Sequence, residues 1–209
     1  MRYIKFVSEF LKHPKQVGAV AASSSFLAKK MAQQIGNAIN VIEFGPGTGC
    51  VTKEILRKLP ANGKLTCLEI NPKFCDDLKQ INDQRLKVVN DDVRNYSRRI
   101  KNFDCILSSL PLSIFEKSQR DKIIALSGRA KTYIQFQYTP FLKPKLKKYF
   151  EDVEIKFVPL NLPPAFVYIS RNPKNKNCKL HKQTHHRSLI TKTAMQILVF
   201  LTSFWTSLK

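Results

Sequence analysis

The stretch Val41-Ile42-Glu43-Phe44-Gly45-Pro46-Gly47-Thr48-Gly49 runs from an apolar strand into a turn with three alternate glycines, and Thr48–Leu59 beyond it has the length of a helix. Glycines without Cβ let the backbone approach a ligand closely. The free N–H groups at the start of the following helix can hold a carboxylate or a phosphate. Glu69 stands 20 residues after Gly49, at the end of the next apolar run. An acid there can accept both hydroxyls of a ribose. The G-x-G-x-G spacing departs from the G-x-G-x-x-G of dinucleotide sites, which disfavours NAD. Glu43, two residues before the first glycine, is ill suited to a pyrophosphate and suits a ligand with a positive amino group. A glycine turn alone also serves merely to join strand to helix. The turn, the preceding acid and the second-strand acid together specify more.

Outward from this stretch, strand-like apolar runs recur at Val41–Phe44, Leu65–Ile70, Leu86–Val89, Phe103–Leu107, Thr132–Phe136, Val153–Val158 and Phe166–Ser170. Helix-length segments lie between most of them: Thr48–Leu59, Pro72–Ile81, Ser113–Leu126 and Phe141–Phe150. Strands alternating with helices imply βαβ units and a parallel sheet. Only the Pro-rich link Pro159–Pro164 separates the last two runs, which allows an antiparallel return and forbids a parallel crossover. The expectation is an α/β fold with a mostly parallel, seven-stranded sheet, an antiparallel pair at its end and helices on both faces. Arg2–Lys12 and Ser23–Ile35 read as helices before the first strand. The chain divides into residues 1–36 (an amphipathic helix and a substrate-side helical segment), a ligand-binding domain over 37–171, and a basic linker with a short apolar tail over 172–209.

The 209 residues carry 36 Lys+Arg against 15 Asp+Glu, a net charge of +21, and 43% are hydrophobic. That apolar share supports a core and excludes a disordered chain. Residues 155–209 hold nine Lys/Arg and no acid. Such a balance predicts an anionic partner, nucleic acid or an acidic membrane surface. Five cysteines without a C-x-x-C pair point away from a disulfide scaffold and toward a reducing compartment. No stretch of about 20 apolar residues predicts a spanning helix. Cys178, His181, His185 and His186 have the composition of a metal cluster, but they fall in a basic linker without a second cysteine pair, and no metal is expected.

Glu43–Gly49 resembles the first motif of class I S-adenosylmethionine-dependent methyltransferases, Glu69-Ile70-Asn71-Pro72 their second, and Asn90-Asp91-Asp92-Val93 their acid-bearing third. The resemblance spans about residues 1–171 and implies a Rossmann-like fold with S-adenosylmethionine as cofactor. It places Gly45, Gly47 and Gly49 along the cofactor's methionine end and Glu43 near its amino group. Glu69 falls on the ribose, Ile70 against the adenine face, and Asp92 on the adenine amino group, with Asp91 an equal alternative for that register.

Two families share this arrangement with an upstream Pro14-Lys15-Gln16-Val17-Gly18-Ala19-Val20 loop: the rRNA adenine dimethyltransferases and the bacterial phospholipid N-methyltransferases, which methylate phosphatidylethanolamine. The adenine enzymes place Asn or Asp, then Pro and an aromatic, after the fourth strand; the polar group binds the amine and the aromatic stacks on the flipped base. This chain has Ser108-Ser109-Leu110-Pro111-Leu112, with neither handle. That turn, with Phe136-Gln137-Tyr138 and Asn161–Tyr168, is similar to the phospholipid enzymes, although Ser127-Gly128-Arg129 and the tail beyond Arg171 depart from them. The expected activity is N-methylation of phosphatidylethanolamine at a membrane surface by a cytoplasmic, peripherally attached enzyme. The alternatives are rRNA adenine N6-methylation, since +21 suits RNA also, and an inactive basic membrane-binding protein. Ser108, Ser109, Pro111 and Tyr138 stand at strand ends as catalytic-side candidates, each with a packing or turn role as the plainer alternative.

The membrane reading has its own support in Arg2–Lys12. Tyr3, Ile4, Phe6, Val7, Phe10 and Leu11 fall within about 160° of a helix, with lysines on the other side, a pattern suited to a lipid interface or to docking on the chain's own domain. Ala194–Leu208, with Phe200, Phe204 and Trp205, reads as a second anchor or a loose extension.

Overall fold

Short apolar runs become the strands of a single sheet. The computed structural model describes residues 25–174 except 102 and 162, with the side chains of 97 and 98 also outside the description. The expected helix Arg2–Lys12, the loop Pro14–Val20, the Cys178/His cluster and the tail Ala194–Leu208 lie outside the described residues. The strands are β1 (Asn40–Phe44), β2 (Lys64–Glu69), β3 (Leu86–Asn90), β4 (Cys105–Ser108), β5 (Thr132–Gln137), β6 (Phe150–Val158) and β7 (Ala165–Pro173). Their order is β3-β2-β1-β4-β5-β7-β6. The first five are parallel, and β7 is antiparallel to both β5 and β6. The expected sheet, with its antiparallel end pair, is therefore present.

The pleat sends alternate residues to opposite faces. Val41, Cys105, Leu107, Ile134 and Phe136 enter one apolar core, closed by α1 (Ser25–Ala32) and α2 (Cys50–Lys58). Ile42, Phe44, Ile106 and Tyr133 enter the other, closed by α4 (Lys117–Ser127). α1 buries Leu27, Ala28, Met31 and Ala32, so it packs into the same core as the sheet. α3 (Pro72–Lys79) starts on Asn71, whose side chain accepts from the Lys73 N–H at 3.0 Å.

Two expectations are corrected. The segment Phe141–Phe150 is not one helix: only α5 (Lys143–Leu146) is helical, and Phe150 opens β6. Phe150 is buried and its ring stacks 6.3 Å from that of Tyr133, so packing on the sheet outweighs helix propensity there. The segment Ser113–Leu126 turns helical only at Lys117, after a run of turns.

Candidate active site

All five parallel strands end at one edge of the sheet, and the sequence-predicted residues gather there. Gly45, Gly47 and Gly49 hold φ of 65°, 56° and 79°, conformations in which a Cβ is strained. A Cβ on Gly47 would meet nothing within 4 Å, whereas one on Gly45 would lie 2.6 Å from Leu110 Cδ2. The turn is thus open on one side and closed by Leu110 on the other. Gly49 caps α2 without a side chain.

Glu69 ties the turn to the end of β2. Its Oε2 accepts from the Gly47 N–H at 3.0 Å and its Oε1 from the Asn71 N–H at 2.8 Å. Each oxygen keeps a further lone pair. Glu43 sits behind the turn, fully buried. Its Oε2 accepts from Thr52 Oγ1 at 2.7 Å and from Cys67 Sγ at 3.4 Å, while Oε1 is buried with no partner among the described residues. Burial pushes this carboxyl up to about 7, against the pull of the Thr52 and Cys67 bonds.

The cleft beside the turn is lined by Gly45, Glu69, Ile70, Asp91, Asp92 and Leu110, among others. Ile70 is 66% exposed, an apolar side chain left open at the cleft. Asp92 is bound by the Arg94 side chain through both oxygens, which holds it below the usual carboxylate range. Asp91 accepts from the Asp92 N–H at 2.7 Å through Oδ1 and keeps Oδ2 unbonded among the described residues.

The exits of β4 and β5 form a buried polar network that the sequence reading missed. The Gln135 and Gln137 carboxamides each donate to the Leu110 carbonyl at 3.0 Å and to the Phe136 carbonyl at 2.7 and 2.6 Å. Tyr133 donates to Gln135 Oε1 at 2.6 Å and also meets Ser108. The Ser108–Pro111 turn is therefore held from below by two glutamines. Two glutamines at i, i+2 inside the otherwise apolar run Thr132–Gln137 were the available signal: polar residues on one buried face need partners.

The catalytic-side candidates separate. Ser108 is fully buried and serves the network. Ser109 Oγ is buried with no hydrogen-bond partner among the described residues. Pro111 accepts from the Ile114 N–H at 3.1 Å in a turn. Tyr138 is buried beside Asn161, and burial pushes its hydroxyl up to about 12, so at neutral pH it is a proton donor and not a base. Among the described residues no cluster suits a metal ion, and no helix is long and apolar enough to cross a membrane.

Residues 41–130 match a family profile described as a methyltransferase domain. The chain is 32% identical over 189 residues to an ornithine lipid N-methyltransferase of Singulisphaera acidiphila, covering 82% of this chain and 97% of that one. Among solved structures it is similar to the N-methyltransferase NodS of Bradyrhizobium japonicum in complex with S-adenosylhomocysteine, with TM-score 0.60, 14% identity and coverage of 71% and 88% of the two chains. It is also similar to a precorrin-6y C5,15-methyltransferase of Geobacter metallireducens, with TM-score 0.57, 16% identity and coverage of 70% and 86%. The chain belongs to the class I S-adenosylmethionine-dependent methyltransferases, Rossmann-like enzymes. S-adenosylmethionine is its cofactor. The residues present fit it: an open glycine turn, a carboxylate with spare lone pairs at Glu69, and an Asp91 oxygen unbonded among the described residues.

Proposed function

We propose that this methyltransferase transfers a methyl group to the primary amine of a membrane aminolipid, with phosphatidylethanolamine as the first substrate and an anionic, cytoplasm-facing bilayer surface as its partner. The observation that carries this is Leu112. It stands where a base-flipping enzyme needs a stacking aromatic, and it is 1% exposed, packed into the core. With Ser109 in place of Asn, the turn offers a nucleobase neither stack nor paired acceptor. Ornithine lipid is a second substrate reading, favoured by the relative of that name.

S-adenosylmethionine, when bound, supplies an electrophilic methyl on a sulfonium. Gly45, Gly47 and Gly49 would take its methionine end and Glu69 its ribose. Ile70 would face the adenine, with Asp91, by its free oxygen, a better acceptor for the amino group than the ion-paired Asp92. Glu43 backs the turn through Thr52 and Cys67. The lipid amine must lose a proton before its lone pair attacks, and a buried site beside a cationic sulfonium disfavours the ammonium form. Ser109 Oγ, which has no hydrogen-bond partner among the described residues, would accept a hydrogen bond from that amine. Tyr138 and the Ser108–Pro111 turn position it. Alignment of the reactants supplies much of the rate.

The test is incubation of the full chain with labelled S-adenosylmethionine and either vesicles containing phosphatidylethanolamine, vesicles containing ornithine lipid, or ribosomal RNA. Label in a lipid is the expected result, and which lipid decides between the two substrates. Label in RNA without lipid product overturns the proposal, and label in neither overturns both the lipid and the RNA reading.

A further inference from the structure

The edge of the sheet onto which the cleft opens also carries a row of apolar side chains. Ile114 lies in the link from β4 to α4, Phe141 follows β5, Phe157 is near the end of β6 and Leu160 is in the β6–β7 turn; all four are exposed. The register fixes their common position. Gln137, the last residue of β5, pairs with Phe166, and Phe166 pairs with Phe157. The β6–β7 turn thus lies at the same edge as the ends of the parallel strands. From β4 to β6 the row crosses four adjacent strands.

The flank beside Ile114 and Phe141 is basic. Residues 138–148 hold four lysines and no acid. Lys145 on α5 is pushed below the usual lysine range, first by its partial burial, then by Arg120 of α4, with Lys117 and Lys148 adding. Asp121 alone opposes them, and it is already bonded to Lys117 at 3.1 Å. Arg120 Nε is buried and has no partner among the described residues. Cations crowded around one engaged carboxylate leave uncompensated positive charge. Exposed apolar side chains beside such charge match a bilayer interface: the apolar groups enter the headgroup region and the lysines meet anionic headgroups. A polyanion such as RNA would use the lysines and leave the apolar row in water.

We propose that Ile114, Phe141, Phe157 and Leu160, with Lys143 and Lys145, form a docking face for an anionic bilayer that sets the mouth of the cleft against the lipid headgroups. The inference rests on the aminolipid reading for what is delivered to the cleft; docking itself needs no turnover.

The test is sedimentation of the full chain with vesicles of phosphatidylcholine, with and without phosphatidylglycerol. A Phe141→Ser/Leu160→Ser variant should bind about tenfold more weakly at every salt concentration, because apolar insertion is not screened. A Lys143→Glu/Lys145→Glu variant should lose about tenfold or more on the anionic vesicles at low salt and little at high salt. Both should bind S-adenosylhomocysteine like the parent, which shows that they are folded. If both sediment like the parent, this face is not the docking site, even where the parent methylates lipid dispersed in neutral detergent and the substrate reading stands. If both lose vesicle binding while the parent methylates no lipid in detergent, the docking face stands and the aminolipid reading falls. Loss of ribosomal RNA binding in the lysine variant, with vesicle binding intact, overturns the proposal in favour of RNA.

Discussion

Two carboxylates flank the glycine turn, and the fold treats them in opposite ways. Glu69 stays beside the cleft and bridges Gly47 and Asn71. Bonds from a charged acceptor contribute about 1.5–3 kcal/mol each. Glu69→Ala should therefore weaken S-adenosylmethionine binding by tenfold or more by calorimetry; unchanged affinity would remove Glu69 from the ribose. Glu43 is sealed behind the turn, and its carboxyl titrates near 7 in the folded protein against an ordinary 4.5. The folded state thus binds its proton more tightly than the unfolded chain does. That stabilisation is complete below about pH 4.5 and is lost as pH rises to about 7. Glu43→Gln mimics the protonated form at every pH. Its stability relative to the parent should rise between pH 5 and 8 by up to about 3 kcal/mol, measured by denaturant unfolding. A constant difference across that range would show that Glu43 is ionised when buried.

At the scale of elements, β5 does more than extend the sheet. Gln135 and Gln137 project from it to grip Leu110, and Leu110 in turn closes one side of the glycine turn at Gly45. Two parallel strands, β1 and β5, are thereby coupled through the exit of β4 that lies between them. Gln137→Met keeps the length of the side chain and removes the donors. The Leu110 and Phe136 carbonyls each lose a partner, at a cost of about 1–3 kcal/mol in stability. Displacement of the turn should also lower kcat by about tenfold to a hundredfold, with KM for the acceptor changed far less. Thermal melts and steady-state kinetics together check this. A lower melting temperature with an unaltered kcat would reduce the glutamines to structural supports.

The whole molecule adds a field to these local devices. A net charge of +21 draws the chain toward any anionic surface, and at about 1 M salt the screening length shrinks to roughly 3 Å. Binding of the full chain to phosphatidylglycerol vesicles should weaken steeply as salt rises to about 1 M, while S-adenosylmethionine affinity changes little. Salt-independent vesicle binding would assign the membrane contact to apolar insertion alone.

Much of this enzyme was legible along the chain because its decisive signals are local. Glu43 to Gly49 and Glu69 occupy strand ends a short sequence distance apart, and the alternation of apolar runs with helical segments dictates a parallel sheet. The Pro159–Pro164 link is too short for a crossover, which sets the antiparallel end. Other features depend on residues far apart in sequence meeting in space. Phe150 joins β6 because it packs on Tyr133, a preference that no window around Lys143–Leu146 contains. The grip of Gln135 and Gln137 on Leu110 spans 25 and 27 residues. Burial pushes up both the Tyr138 hydroxyl and the Glu43 carboxyl. Sequence alone determined which groups stand at the glycine turn, because backbone geometry is local. Tertiary structure decided which of them are sealed, paired or open to the cleft, because desolvation and hydrogen-bond partners come from packing.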